Sequence, residues 1–223
     1  MIDTHAHLDK DMSLKNIDKI INVSLDLNFS EKHEKVFNAI GYHPYDIKKL
    51  NLTKLKKLAS HKKVIAIGEI GLDNQKYNLA EQKAGFKKQL ALAQKLDLPV
   101  IIHCRGLHKE CLEILPKKIK GVVHCYSSSW KNAKKYADLG LYISFTGIIT
   151  YSESYDKVIK NMPLDKILLE TDSPFLAPVP HRDKKCEPWM VKYIGKKIAK
   201  IKNISLNKVI EQTDKNAKKL FNI

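Results

Sequence analysis

The sequence predicts an α/β protein that folds as a single (β/α)8 barrel of the TIM type. Short apolar runs rich in β-branched residues alternate with amphipathic stretches along the whole chain, which indicates repeated βαβ units. Most of these runs, such as residues 64–67 and 100–102, are apolar on both faces, as is typical of a parallel sheet covered by helices. The chain contains no GxGxxG loop, and this disfavours an open dinucleotide-binding sheet.

The predicted elements follow one another in a regular order. Eight strands are expected at residues 2–7, 19–24, 36–43, 64–70, 99–104, 122–126, 141–148 and 166–172. Helices are expected at 52–60, 79–96, 107–117, 129–139 and 154–161, and two C-terminal helices at 188–201 and 205–221. Residues 8–18 are too few and too polar for a covering helix, so the first crossover should be abbreviated. No Ser/Gly-rich linker or internal repeat divides the sequence, and we expect one domain over residues 1–223.

Charge and composition limit the class of protein. The chain has 40 basic and 24 acidic residues and a formal net charge of +16, which favours a polyanionic partner such as nucleic acid. No apolar run reaches the roughly 18 residues that a membrane span needs, so we expect no membrane association. The N-terminus has no apolar signal segment and the four cysteines show no CxxC spacing, which together predict a cytoplasmic protein with reduced thiols.

Residues able to bind metal recur at the ends of five predicted strands. In IDTHAHLD, His5 and His7 are two residues apart, so their side chains share one face of a strand. Taken alone, this pair fits a metal site and an edge strand with two solvated histidines equally well. In a barrel, however, the C-terminal strand ends meet at one face, and these ends carry a set of zinc or manganese ligands: His5, His7, Glu69, His103, His124 and Asp172.

Side-chain alternation separates the neighbours of these residues from the site. Cys104 and Cys125 each follow a candidate ligand directly, so we expect them to face the outer helices as packing residues. The same argument applies to Tyr42, which precedes His43. For His43 itself three roles stay open: it lines the site, it hydrogen-bonds a phosphate of the substrate, or it supports the turn at Pro44.

Eight segments together resemble one known family. The motifs MIDTHAHLD, GYHP, AIGEIGLD, LPVIIHCR, GVVHCYS, YISFTGII, ILLETDSPFLAPVPHR and NAKKLF are similar, in this order, to those of the TatD family of metal-dependent deoxyribonucleases. The resemblance spans nearly the whole chain and implies an amidohydrolase-like (β/α)8 barrel. It also implies that two divalent cations (zinc, magnesium or manganese) are held by the six residues named above.

The resemblance further implies a function and roles for two of the ligands. The expected enzyme is a monomeric deoxyribonuclease, a 3'-5' exonuclease that takes single-stranded DNA or 3' ends. Glu69 would bridge the two cations, and Asp172 would accept a proton from the attacking water. Glu170, two residues before Asp172, either orients a ligand histidine or forms a structural salt bridge.

The chain departs from the usual family pattern at three places. It is shorter, and the loss is concentrated between Leu8 and Phe37. Gly106 stands where the family usually has an acidic residue, and Cys104 replaces a common hydroxyl residue. These differences leave the metal ligands intact, so they bear on substrate preference.

The two arginines are candidates for substrate binding. Arg105 and Arg182 are the chain's only arginines, and both fall in loops just after ligand-bearing strands. Because a guanidinium can bond two phosphate oxygens at once, we expect Arg105 to bind one phosphate and His181 with Arg182 a neighbouring one. The alternative is that both arginines belong to a generally basic surface.

Two other functions compete with the nuclease. The first is an amidohydrolase that opens a cyclic amide, a lactone or another small ester, although many such enzymes bridge their metals with a carboxylated lysine where this chain has Glu69. The second is a basic nucleic-acid-binding protein without catalysis. That protein would have no use for six converging ligands, and the sequence has neither an RRM-like aromatic motif nor zinc-finger spacing.

Overall fold

The eight strands form one parallel sheet in sequential order. The computed structural model describes residues 1–75 and 78–223. The strands are Ile2–Ala6 (β1), Lys19–Val23 (β2), Val36–Ile40 (β3), Val64–Asp73 (β4), Val100–Arg105 (β5), Gly121–Val123 (β6), Tyr142–Phe145 (β7) and Ile167–Leu169 (β8). All seven consecutive pairs are parallel.

The sheet closes on itself through the segment that follows β8. Ala6 forms a parallel bridge with Ser173, and the backbone N–H of His7 donates to the Ser173 carbonyl at 2.7 Å. The N–H of Asp172 donates to the carbonyl of His5 at 2.9 Å. The predicted (β/α)8 barrel is therefore confirmed, and its closure brings Asp172 beside the two histidines of β1.

Helices cover the outside of the barrel. They are Asn28–Lys32 (α1), Leu52–Leu58 (α2), Leu79–Lys95 (α3), His108–Ile114 (α4), Trp130–Asp138 (α5), Asp156–Asn161 (α6), Val191–Lys202 (α7) and Leu206–Phe221 (α8). The sequence patterns did not predict α1 or the 3-10 helix Pro44–Lys49, because both are too short to show a helical period. Within the described residues, no helix is both long and apolar enough to span a membrane.

The first crossover is abbreviated, as predicted, since no helix lies in the described segment between β1 and β2. Side chains form hydrogen bonds with the backbone groups of this segment instead. Asn22 accepts a hydrogen bond from the N–H of Leu8 at 2.9 Å. The ammonium group of Lys35 donates to the carbonyl oxygens of Leu14 and Ile17 at 2.5 and 3.1 Å. Backbone groups that a helix would have paired are thus satisfied locally.

One layer of the core explains which end of the barrel is open. Each strand contributes one residue to an apolar cluster that also contains two residues of α8: Ile2, Ile21, Ala39, Ala66, Ile101, Val122, Tyr142 and Leu168 with Ala217 and Phe221. The last turns of α8 therefore pack against the strand layer at the end of the barrel opposite the strand ends that carry the candidate ligands.

Several strands end earlier than predicted, and this overturns one expectation. The strands β6 and β8 end at Val123 and Leu169, so the following residues lie on loops where alternation does not apply. Cys125 has a left-handed φ of 42°, and its sulfur lies 3.5 Å from Thr146 Oγ1. The expectation that Cys125 faces the outer helices is therefore wrong, whereas Cys104 does contact α5, with Tyr136 Oη 3.6 Å from its sulfur.

Candidate metal centre

One half of the site forms where β1 meets the loop after β8. His5 is fully buried, and its Nε2 atom lies 3.5 Å from Asp172 Oδ1 and 3.6 Å from Glu69 Oε2. The Nε2 atom of His7 lies 3.3 Å from that of His5 and 3.5 Å from the same Asp172 oxygen. Four of the predicted ligands therefore converge at this point.

The other half forms at the ends of β5 and β6, on the opposite oxygen of Glu69. Glu69 Oε1 lies 2.6 Å from His124 Nε2 and 2.7 Å from His103 Nδ1. His43 also reaches this side, with its Nε2 atom 3.7 Å from the same oxygen. Its Nδ1 accepts a hydrogen bond from the N–H of Tyr45 at 3.2 Å, so His43 both lines the site and supports the turn after it.

The chemistry of the donor atoms fits divalent cations. The facing ring nitrogens of His103 and His124 are 3.2 Å apart, close to the separation of the facing nitrogens of His5 and His7. Unprotonated ring nitrogens offer only lone pairs, so such approaches are favourable when a proton or a cation lies between them. Two groups of potential ligand atoms within 4.8 Å of one another share Glu69: His5, His7 and Glu69, and His43, Glu69 and His103.

Electrostatic interactions and burial set the protonation of the donor atoms. Although burial by itself raises the pKa of Glu69, the facing charge of His124 and hydrogen bonds from His103 and His124 lower it well below its ordinary value. Burial lowers the pKa of His5 well below its ordinary value, and burial also lowers the pKa of His43 to about 4. An ionised Glu69 beside a neutral His5 and a neutral His43 presents lone pairs that a metal can bind. Burial by itself lowers the pKa of His124, but the charge of Glu69 outweighs it and raises this pKa well above the ordinary value, so a cation bound there would displace the His124 proton.

Asp73 is a site residue that the sequence patterns missed. Its Oδ2 atom lies 2.8 Å from His103 Nε2, on the ring edge opposite Glu69. Gln82 fixes Asp73 in turn by accepting its backbone N–H and donating to its carbonyl. The predicted strand ended at residue 70, whereas β4 continues to Asp73. Extending the two-residue period from Glu69 along GEIGLD would have placed Asp73 on the site face.

Asp3 fixes the loop that carries Asp172. Both of its carboxylate oxygens are bonded to Thr171, one from the backbone N–H at 2.9 Å and one from the hydroxyl at 2.6 Å. Burial raises the pKa of Asp3 to about 8. The sequence patterns did not assign Asp3, although it shares a strand face with His5 and His7.

Glu170 supports His124 from behind. It is fully buried, and its two oxygens accept hydrogen bonds from the Cys125 N–H and the Ser144 hydroxyl, each at 2.6 Å. Its Oε1 atom lies 3.5 Å from His124 Nδ1. Of the two roles left open for Glu170, this contact favours orientation of a ligand histidine.

The predicted substrate-binding residues divide into two pairs. Arg105 and His43 line a cavity of about 1240 Å³ that opens over the candidate metal ligands. His181 and Arg182 are not among the described residues that line it. The His181 ring lies 3.0 Å from the hydroxyl of Tyr193, and the Arg182 guanidinium stacks 3.6 Å above the ring centroid of Tyr151.

Comparison with known proteins identifies relatives along the whole chain. Residues 2–222 match the family described as TatD related DNase. The uncharacterized metal-dependent hydrolase YabD of Bacillus subtilis strain 168 is 34% identical, over 100% of this chain and 99% of the relative. The 3'-5' ssDNA/RNA exonuclease TatD of Erwinia tasmaniensis is 33% identical, over 88% of this chain and 83% of its own length.

Solved structures agree with this result. The crystal structure of YJJV, a TatD homolog from Escherichia coli K12, matches with a TM-score of 0.90 at 28% identity, over 100% of this chain and 98% of that one. A TatD family hydrolase from Entamoeba histolytica shares the fold, with a TM-score of 0.85 at 24% identity. The resemblance predicted from the motifs is confirmed, and the chain belongs to the TatD family of metal-dependent hydrolases.

Proposed function

We propose that the protein is a deoxyribonuclease that removes nucleotides from single-stranded 3' ends with the help of two divalent cations. This proposal depends on one observation: the two carboxylate oxygens of Glu69 face two different groups of metal-binding side chains. Oε2 faces His5, and Oε1 faces His103 and His124. Paired cations that share a carboxylate supply an activated water and neutralise charge on the attacking and leaving oxygens of a phosphodiester.

The proposed ligands fall into two sets that share Glu69. His5, His7 and Asp172 would hold one cation with Oε2, while His103 and His124 would hold the other with Oε1. Imidazole nitrogens outnumber carboxylates, and this composition favours zinc over magnesium.

Asp172 is the proposed proton acceptor. Its Oδ1 atom faces both histidines of β1 at 3.5 Å, and its side chain lines the cavity. The Asp172 backbone adopts a left-handed φ of 58° and is bonded on both sides, because its N–H donates to His5 and its carbonyl accepts from Phe175. With its backbone fixed in this way, Asp172 can take a proton from a water at the cluster without a movement of the loop.

Charge and the comparisons support nucleic acid as the substrate. The net charge of +16 attracts polyanions, and Arg105 places a guanidinium at the cavity wall. The Erwinia tasmaniensis relative carries the name of a 3'-5' ssDNA/RNA exonuclease, which favours nucleic acid over a small cyclic amide or lactone.

The decisive experiment uses metal-stripped protein and single-stranded DNA labelled at the 5' end. Zinc, manganese and magnesium are added back separately, and the products are resolved by length. We expect a ladder that shortens from the 3' end with one or more metals. Glu69→Gln protein purified in the same way controls for contaminating nucleases. If the DNA stays uncleaved with every metal and the protein hydrolyses a lactone or a cyclic amide, the nuclease proposal is wrong and the protein is an amidohydrolase.

A further inference from the structure

Phe175 presents a bare aromatic ring at the mouth of the cavity. Its relative exposure is 59%, the highest among the four large apolar residues that are exposed in the described parts of the chain. The other three are Leu52, Tyr151 and Val179, and Phe175 is the member of this set that lines the cavity. Isolated exposed apolar residues are ordinary on protein surfaces, so a binding role for Phe175 requires an ordered support for the ring and a ligand site beside it.

The backbone that leads into Phe175 is fixed by hydrogen bonds. The Phe175 N–H donates to the carbonyl of Asp172 at 2.9 Å. The preceding Pro174 accepts from the N–H of Cys186 at 3.0 Å, and Ser173 accepts from the N–H of His7 at 2.7 Å. Because this backbone is already ordered, a ligand that contacts the ring does not have to order the preceding loop residues as well, which favours binding.

The ring also lies next to the ligand cluster. Its centroid is 6.2 Å from that of the His7 ring, and the two planes make an angle of 70°. A phosphodiester bound at the cluster would therefore carry an adjoining base into reach of Phe175. A phenyl ring offers no charge or hydrogen bond to a phosphate, but it offers a π-face to any base.

We propose that Phe175 stacks against the base next to the scissile phosphate and thereby selects unpaired ends. This proposal rests on the proposed nuclease function. At a duplex end the terminal base is held by its pairing partner and its stacked neighbour, so turning it towards Phe175 costs unpairing and unstacking energy. An unpaired terminal base can turn towards the ring without that cost. Stacking of this kind tolerates all four bases, so the selection is for single-stranded structure and not for sequence.

The test compares single-stranded oligonucleotides that carry either a base or an abasic residue at the terminal position. Cleavage is measured as kcat/KM with metal-loaded protein. Binding is measured by fluorescence anisotropy with Asp172→Asn protein, so that binding is read without chemistry. We expect the base to favour the substrate by about 5- to 150-fold, the range found for base-stacking aromatic residues. Phe175→Ala should abolish this preference, and Phe175→Trp should keep it.

Val179→Ala is the matched control, because Val179 is an exposed apolar residue of the same loop region that lies outside the cavity lining. It should keep the full preference for the base. If Phe175→Ala slows cleavage of both substrates equally, or of neither, the stacking proposal is overturned while the nuclease stands. If metal-loaded protein cleaves neither oligonucleotide, the nuclease proposal fails, and the anisotropy measurement then tests stacking on its own. Tighter binding of the oligonucleotide with the base, lost in Phe175→Ala, supports stacking. Equal binding of the two oligonucleotides overturns it.

Discussion

The carboxylate of Asp73 lies 2.8 Å from Nε2 of His103 and determines which nitrogen of that ring faces Glu69. When Nε2 donates its proton to Asp73, Nδ1 carries the lone pair that points into the cluster. The same carboxylate is held by the Gln75 N–H, which donates to Oδ1 at 2.7 Å. Carboxylates placed behind a ligand histidine in this way fix its tautomer and raise its basicity.

Replacement of Asp73 by asparagine should therefore weaken metal binding without removing any ligand. The amide can point its N–H₂ group at His103, which moves the ring proton to Nδ1 and blocks the lone pair. We expect metal affinity to fall by about 10- to 100-fold, measured by titration against a competing chelator. Asp97→Asn changes an exposed aspartate that pairs with Lys120, and it should bind metal like the wild type. Unchanged affinity in Asp73→Asn would show that the contact does not orient the ligand.

The sequence sufficed to bring the candidate ligands His5, Glu69 and His103 together, because the strands β1, β4 and β5 themselves carry these residues. It failed where a short departure from strand geometry decides the outcome. The longer β4 brings Asp73 into the site, and the early end of β6 turns Cys125 towards the cavity. The closure that brings Asp172 to His5 depends on contacts about 170 residues apart in the chain. The sequence placed Asp172 there through the predicted barrel and the family resemblance, and not through a local pattern.

Replacement of Asp172 by asparagine should preserve DNA binding and slow the chemical step. The amide is nearly isosteric but cannot accept a proton at neutral pH. We expect kcat to fall by about 100-fold or more, the scale of general-base catalysis, with KM changed little. Asp138→Asn, at an exposed aspartate paired with Lys134, is the matched control. A small loss of kcat accompanied by a large rise of KM would make Asp172 a binding residue and place the base elsewhere.

Gly71 should be irreplaceable for the packing of β4 against β5. Its φ is +148°, and a Cβ atom built on it would lie 1.9 Å from the carbonyl oxygen of His103. Gly140 also has a positive φ, +98°, but there the nearest atom to a Cβ, the Ile119 carbonyl oxygen, is 3.4 Å away.

The two glycines therefore separate backbone strain from steric clash. Gly140→Ala should lower the free energy of unfolding by about 1–3 kcal/mol, the cost of a strained conformation alone. Gly71→Ala should lower it by more, and it should also weaken metal binding because β5 and His103 must move. Urea denaturation of both variants measures the difference. Equal losses would mean that the β4–β5 pair absorbs the extra methyl group without strain.

The two arginines should differ in how their importance depends on substrate length. Arg105 lines the cavity, so its guanidinium is placed to bond two oxygens of a phosphate near the reacting one. Arg105→Lys preserves the net charge. We expect it to reduce transition-state stabilisation by roughly 1–3 kcal/mol, and therefore to lower kcat/KM on every substrate. Arg182 lies against Tyr151, outside the described cavity lining. Arg182→Lys should therefore leave dinucleotide cleavage unchanged and weaken cleavage of longer strands that reach it. Measuring kcat/KM for oligonucleotides of increasing length tests both expectations, and wild-type values for both variants at every length would assign the arginines to the general basic surface.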